Sequence, residues 1–189
     1  MQDFTEMVNR QRAFFLTQAT KPYEFRLEKL RALSGWIDDN ENAVLEALAQ
    51  DLGKCAFEGY LTEVAMVRQE IRDALRHLAE WIHPRKVRTA VGQFPGRCRI
   101  YSEPYGVILI MSPWNYPFQL TVAPLIGAIA AGNCAVVKPS AYAPRTSAPI
   151  IFKKLATSTM WGSLATFSST VWPSAITAAS ICLLYTSPS

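Results

Sequence analysis

Asn115 stands in the stretch Ser112-Pro113-Trp114-Asn115-Tyr116-Pro117, one polar amide between two rigid corners, and Lys138 opens the tripeptide Lys138-Pro139-Ser140. An asparagine amide is an uncharged donor. Held by prolines and aromatic rings, it can stabilise a developing oxyanion without carrying charge itself. A lysine beside it can hydrogen-bond the hydroxyls or a phosphate of a cofactor. The competing reading of Asn115 is structural, because asparagine also caps helices and a helix-like segment follows. The residues alone leave both readings open. The other reactive candidates are the cysteines at 55, 98, 134 and 182. No pair has C-x-x-C spacing, which indicates neither a zinc knuckle nor a redox dithiol. His77 and His83 are poorly spaced to share a metal and read as surface or capping residues.

Two apolar runs must position Asn115 and Lys138. Gly106–Met111 (GVILIM) and Cys134–Ser140 (CAVVKPS) have strand length and read as buried parallel strands. Between them, Pro117–Asn133 is helix-like and stops at Gly132-Asn133; a second helix is expected to begin near Pro144. Strand, helix, strand, helix is the pattern of a doubly wound sheet. In such sheets ligands bind outside the carboxyl ends of the strands, and both turns lie at such ends. Amphipathic helices precede this unit. Residues 4–18 form one. Pro22 starts another, with Leu27, Leu30, Leu33 and Ile37 on one face. Asn40 is expected to cap a further helix that ends at Gly53, and a longer helix runs from Leu61 to Trp81. Pro84 ends the helices. The stretch from Arg88 to Gly106 is turn-rich and contains Arg97–Glu103 (RCRIYSE), whose alternation predicts an extended edge or hairpin strand. The fold class is therefore α/β: N-terminal helices, then the first half of a doubly wound parallel-sheet cofactor domain.

Composition narrows the function. Half of the 189 residues are hydrophobic and the formal net charge is +4. The basic residues form no dense patch, so no nucleic-acid partner is expected. No charged side chain occurs between Glu103 and Lys138. That stretch is long enough for a membrane span, but four prolines and three glycines interrupt it, and buried strands with a crossover helix explain it better. No membrane span is expected. The N-terminus lacks the basic and apolar regions of a signal peptide. Isolated cysteines then read as reduced thiols, and the expected location is cytoplasmic.

The segment Glu103–Ser140, EPYGVILIMSPWNYPFQLTVAPLIGAIAAGNCAVVKPS, closely resembles the NAD(P)-dependent aldehyde dehydrogenase superfamily. The resemblance is carried by E-P-x-G-V, P-W-N-Y-P, the A-A-G-N helix end and V-x-K-P-S. The N-terminal helices look like the branch that oxidises fatty and aromatic aldehydes. The resemblance implies that the Asn115 amide, with the backbone N–H of a nucleophilic cysteine, forms an oxyanion hole. It implies that Met111, Ser112, Pro113 and Trp114 line the nicotinamide-ribose side of NAD or NADP. It also implies that Lys138 and Ser140 belong to the adenosine-ribose side. Many members place a glutamate after the K-P-S triplet; Ala141 stands there, so either cofactor is admitted. The implied substrate is an aldehyde, and the full-length protein is implied to be a homo-oligomer.

The family reaction needs a cysteine nucleophile in G-Q-x-C and a general-base glutamate in E-L-G-G-K, and neither motif occurs in these residues. None of Cys55, Cys98 and Cys134 reads as that nucleophile. The resemblance covers roughly Phe4 to Lys154, and the expected family part is residues 1–154. Residues 155–189 carry no charge and no sustained helical or strand period. Cys182–Ser189 (CLLYTSPS), back-translated with one codon choice, resembles a laboratory sequencing adapter. The expectation is a frameshift followed by read-through, and a chain that is inactive by itself. The alternative expectation is a non-catalytic fragment that docks on a full-length homologue.

Overall fold

The computed structural model describes residues 4–147 and 164–166. Within them the elements are α1 (Phe4–Leu16), α2 (Tyr23–Leu52), α3 (Ala56–Gly59), a π turn (Tyr60–Val64) and α4 (Ala65–Ile82). They continue with β1 (Arg85–Val87), a 3-10 turn (Val91–Gln93), β2 (Cys98–Ile100), β3 (Val107–Met111), α5 (Gln119–Ala130), β4 (Cys134–Lys138) and β5 (Leu164–Thr166). Helices come first and a parallel sheet follows, the α/β arrangement that the apolar runs predict.

The helical layer is built on spacing. Leu30, Leu33, Ile37, Val44 and Leu48 are buried along α2, and Val67, Ile71, Ala74 and Leu78 along α4. These two stripes close on Val122, Leu125, Ile126 and Ile129 of α5 in one core. Burial of such faces, more than propensity, sustains helices of this length.

Two boundaries differ from expectation. Asn40 does not cap a separate helix: α2 runs unbroken from Tyr23 to Leu52, and the Asn40 amide donates back to the Trp36 carbonyl at 2.8 Å. The apolar stripe continues on both sides of Asn40, so packing carries the helix through it. The next helix begins at Ala56 rather than Leu61 and contains the π turn, which leaves Glu63 and Val64 both buried. Gly53 ends α2 as expected, at φ +67 with its N–H on the Ala49 carbonyl.

The extended arm is a two-stranded antiparallel ribbon of β1 and β2. β1 lies where no element was expected, since Arg85-Lys86-Val87 shows no apolar alternation and all three residues are exposed. Backbone pairing alone defines it.

β3, β4 and β5 form a parallel sheet in that order, with β4 central. β4 is buried except at Lys138. β3 departs from the expected buried strand: Ile110 is buried, but Leu109 is 58% exposed and Met111 49%. β3 is an edge strand among the described residues, and only its alternate side chains meet the core. β5 lies in the segment without sustained period; parallel pairing is made by backbone groups and does not require one. The helix expected near Pro144 falls mostly outside the described residues, although the Ser147 N–H already reaches the Ala143 carbonyl at 2.9 Å. No described helix is long and apolar enough to cross a membrane.

Candidate functional site

The register of β3 on β4 brings the two turns together. Met111 pairs with Lys138, and the Ser112 N–H donates to the Lys138 carbonyl at 3.2 Å. Both chains therefore leave the sheet side by side at its carboxyl edge, where open α/β sheets hold ligands. Met111, Trp114, Asn115 and Tyr116 are exposed there, Pro113 and Lys138 are half-buried, and Ser112 and Ser140 are buried.

Opposite ends of the strands are tied as well. The Asn133 side-chain oxygen accepts the Gly106 N–H at 2.9 Å, and the Cys134 N–H donates to the Gly106 carbonyl at 2.8 Å. Gly106 has φ +114, a conformation that only glycine adopts readily. At the C-terminus of α5 the buried Arg26 guanidinium donates to the Ala130 carbonyl at 3.1 Å and to the Thr20 carbonyl at 3.2 Å. A cation at that end meets unpaired carbonyls and the negative pole of the helix. Burial pulls the Arg26 pKa below its ordinary value, and nearby Glu103 partly offsets this.

The helix-cap reading of Asn115 falls on geometry. The start of α5 is capped by Glu63: its Oε2 accepts the backbone N–H groups of Phe118 at 2.8 Å and Gln119 at 3.2 Å. A carboxylate at a helix N-terminus satisfies orphan donors and the positive pole together. The Asn115 side chain has no hydrogen-bond partner among the described residues. Its carbonyl is held instead, accepting from Lys54 Nζ at 3.2 Å. Lys54 Nζ also binds Glu63 Oε1 at 2.6 Å and lies 4.1 Å from the centre of the Tyr116 ring.

The second turn is closed on itself and on α2. Ser140 Oγ accepts the Tyr142 N–H, and the Ser140 carbonyl accepts from Ser147 Oγ at 2.7 Å. Asp51, in the last turn of α2, accepts the backbone N–H groups of Arg145 and Thr146 and the Thr146 hydroxyl. Asp51, Lys54, Glu63 and Arg26 were not singled out from sequence. Each is a charged residue in or beside a helix, where charge ordinarily marks a solvated face, and each also has a partner far along the chain: Thr146, Asn115, Phe118 and Ala130 respectively.

The remaining candidates separate cleanly. Burial raises the Cys134 thiol to about 11, so it is protonated at neutral pH and unsuited to nucleophilic attack. Cys55 is exposed and Cys98 half-buried, and neither belongs to the strand-end turns. His77 Nδ1 contacts the Asp73 carbonyl at 3.0 Å and its ring stacks on Trp81. No cluster of metal-ligating residues occurs among the described residues.

A dinucleotide fits what the strand ends offer. Ser112 Oγ is buried without a hydrogen-bond partner among the described residues, an unusual state that a polar ligand would relieve. Beside it Trp114, 54% exposed, supplies an open aromatic surface. Ala141, exposed beyond Lys138-Pro139-Ser140, brings no carboxylate against a 2′-phosphate.

Comparison with known proteins agrees with this architecture. A family model described as "Aldehyde dehydrogenase family" matches residues 1–158. An aldehyde dehydrogenase of Craterostigma plantagineum is 44% identical over 146 residues, which is 77% of this chain and 30% of that protein. The 4,4'-diaponeurosporen-aldehyde dehydrogenase of Staphylococcus aureus is 47% identical over 136 residues, 72% of this chain and 30% of that protein. A solved structure, the substrate-bound state of Staphylococcus aureus AldH, superposes with a TM-score of 0.82 at 40% identity, covering 88% of this chain and 36% of the other. The chain thus spans about a third of the length of the relatives that it matches.

Proposed function

The chain belongs to the aldehyde dehydrogenase family, and from that premise we propose that the whole protein oxidises an aldehyde to a carboxylic acid with NAD or NADP. The observation that carries the reading is the pairing of Met111 with Lys138, which sets the Asn115 turn and the Lys138 turn on one sheet edge. In this reading the Asn115 amide donates to the oxyanion that develops on the aldehyde carbon's oxygen. Met111, Ser112, Pro113 and Trp114 border the nicotinamide ribose, with the buried Ser112 hydroxyl as a donor or acceptor. Lys138 hydrogen-bonds the adenosine ribose, and Ser140 shapes the loop that carries it. When bound, the cofactor would supply the acceptor for the hydride that leaves the substrate. With Ala141 in place of a carboxylate, one repulsion against a 2′-phosphate is absent, and NADP is admitted alongside NAD.

The G-Q-x-C and E-L-G-G-K motifs that carry the nucleophilic cysteine and the general-base glutamate in the family do not occur in these 189 residues. The chain alone is therefore inactive in this reading. The family part in this reading is residues 1–154, just short of the 1–158 that the family model matches, and residues 155–189 are a frameshifted tail that ends in adapter sequence. The substrate class proposed is a fatty or aromatic aldehyde. The location proposed is the cytoplasm, and the proposed assembly of the whole protein is a homo-oligomer. A specific observation favours a second reading, docking on a full-length homologue: the arm exposes Val91 at 93% and Phe94 at 87%, apolar side chains that association would bury.

The test has two parts. Titrating the chain with NADPH or NADH should give energy transfer from tryptophan that weakens in Trp114→Leu, with binding about tenfold weaker in Lys138→Ala. Aldehyde should produce no reduced cofactor with this chain. Absence of binding to both cofactors overturns the cofactor assignment, and turnover by the chain overturns its inactivity.

A further inference from the structure

We infer that the end of α2, Asp51-Leu52-Gly53-Lys54, is a two-handed brace that sets the Asn115 turn and the loop after Lys138 relative to each other. This deepens the proposed function, since it concerns the two turns that reading employs, but its geometry stands independently. Asp51 grips the loop after β4 through the N–H groups of Arg145 and Thr146, at 3.0 and 2.6 Å, and the Thr146 hydroxyl at 2.8 Å. Lys54 grips the turn after β3 through the Asn115 carbonyl at 3.2 Å and the face of the Tyr116 ring. Both grips involve an ionised side chain, which strengthens them relative to neutral hydrogen bonds.

Gly53 makes one segment serve both turns. Its φ of +67 turns the chain sharply out of α2, so that residues only three apart reach two different loops. Glu63 fixes the second hand. It is fully buried, holds Lys54 Nζ at 2.6 Å, and caps α5, the helix that the Asn115 turn enters. The π turn buries Glu63 beside Val64, and π turns of this kind occur frequently at functional sites.

The Asn115 side chain, without a partner among the described residues, depends on its backbone for direction. Its backbone is held by Lys54 on one side and by Pro113, Pro117 and the capped helix on the others. Asp51 and Lys54 are positioning residues in this account: they touch neither substrate nor cofactor and act through the two turns.

The deciding variant is Gly53→Ala. A methyl group there meets nothing within 4 Å, so the substitution challenges only the left-handed backbone and leaves the core intact. In the full chain, nuclear magnetic resonance should show the Asn115 carbonyl carbon, which accepts from Lys54 through its oxygen, moving toward the position of a carbonyl without that bond. Hydrogen exchange at the Thr146 amide should accelerate about tenfold or more. Gly53→Asn should restore both signals, because asparagine tolerates this conformation. Asp51→Ala should release the Arg145 and Thr146 amides and leave the Asn115 signal in place. The inference is overturned if Gly53→Ala lowers the melting temperature without moving either signal, or if Asp51→Ala leaves Thr146 protected. These readouts need no turnover and no bound cofactor. A failed cofactor titration would therefore strike the proposed function and leave the brace to be judged by resonance and exchange.

Discussion

The Arg26 guanidinium fills the space where a side chain on Gly132 would begin: a Cβ at position 132 would lie 2.8 Å from the guanidinium carbon. Gly132 also has φ +81. The close approach lets Arg26 reach the Ala130 carbonyl at the end of α5, just before β4 carries the chain toward Lys138.

Gly132→Ala should therefore destabilise by two routes. The left-handed backbone contributes roughly 1–3 kcal/mol, and displacing Arg26 adds to it because hydrogen bonds to Thr20 and Ala130 pin the guanidinium. Urea unfolding should show the loss. The double variant Arg26→Ala/Gly132→Ala should be less destabilised than the sum of the two singles, since the crowding is then counted once. Strict additivity would mean that Arg26 moves aside freely.

Glu63→Leu should cost about 3–5 kcal/mol, the penalty of leaving Lys54 charged, buried and unpaired. Glu63→Gln retains an acceptor for the Phe118 N–H and should cost less. Equilibrium unfolding ranks the two. Equal losses would assign the effect to charge alone and remove the helix cap from the explanation.

Cys134 supplies a pH dependence with a definite sign. Burial raises its thiol from 9.0 to about 11. Between those values the unfolded chain has lost the proton that the folded chain keeps, so unfolding is favoured as pH rises. Stability from this group is complete below pH 9 and declines toward pH 11. A Cys134→Ala chain should show a flatter stability profile over that window. A thiol reagent at neutral pH should modify Cys55 readily and Cys134 only on unfolding.

Leu109→Lys should lower aggregation while changing stability by no more than about 0.5 kcal/mol. Leu109 is 58% exposed on a strand that is at the sheet edge among the described residues, where an added charge discourages pairing with another chain. Light scattering and melting temperature measured together check this. A large fall in melting temperature would show that Leu109 is covered in solution.

Much of the fold was legible without coordinates. The leucine and valine stripes predicted the helical layer, Gly53 and Gly132-Asn133 marked two helix ends, and two apolar runs announced the parallel pair. These are local signals: periodicity and turn chemistry act over a few residues. The strand-end turns with Asn115 and Lys138 were legible for the same reason, since a strand's end places whatever follows it. The continuity of α2 through Asn40 was not legible, because the decision rested on what packed against both sides. The exposure of Leu109 and Met111 was hidden too, since an apolar run does not say whether its neighbours cover both faces.

What only the tertiary structure decided is what holds the site. Sequence left Asn115 between helix cap and functional amide. The cap is taken by Glu63, distant along the chain, and the Asn115 side chain is left uncommitted among the described residues. Asp51 and Lys54 likewise looked like ordinary charges at a helix end. They became the anchors of two loops only when folding brought Thr146 and Asn115 within hydrogen-bond reach. A charge's sequence neighbours predict solvation; whether it is buried and paired depends on groups from remote segments, and only the assembled chain specifies those.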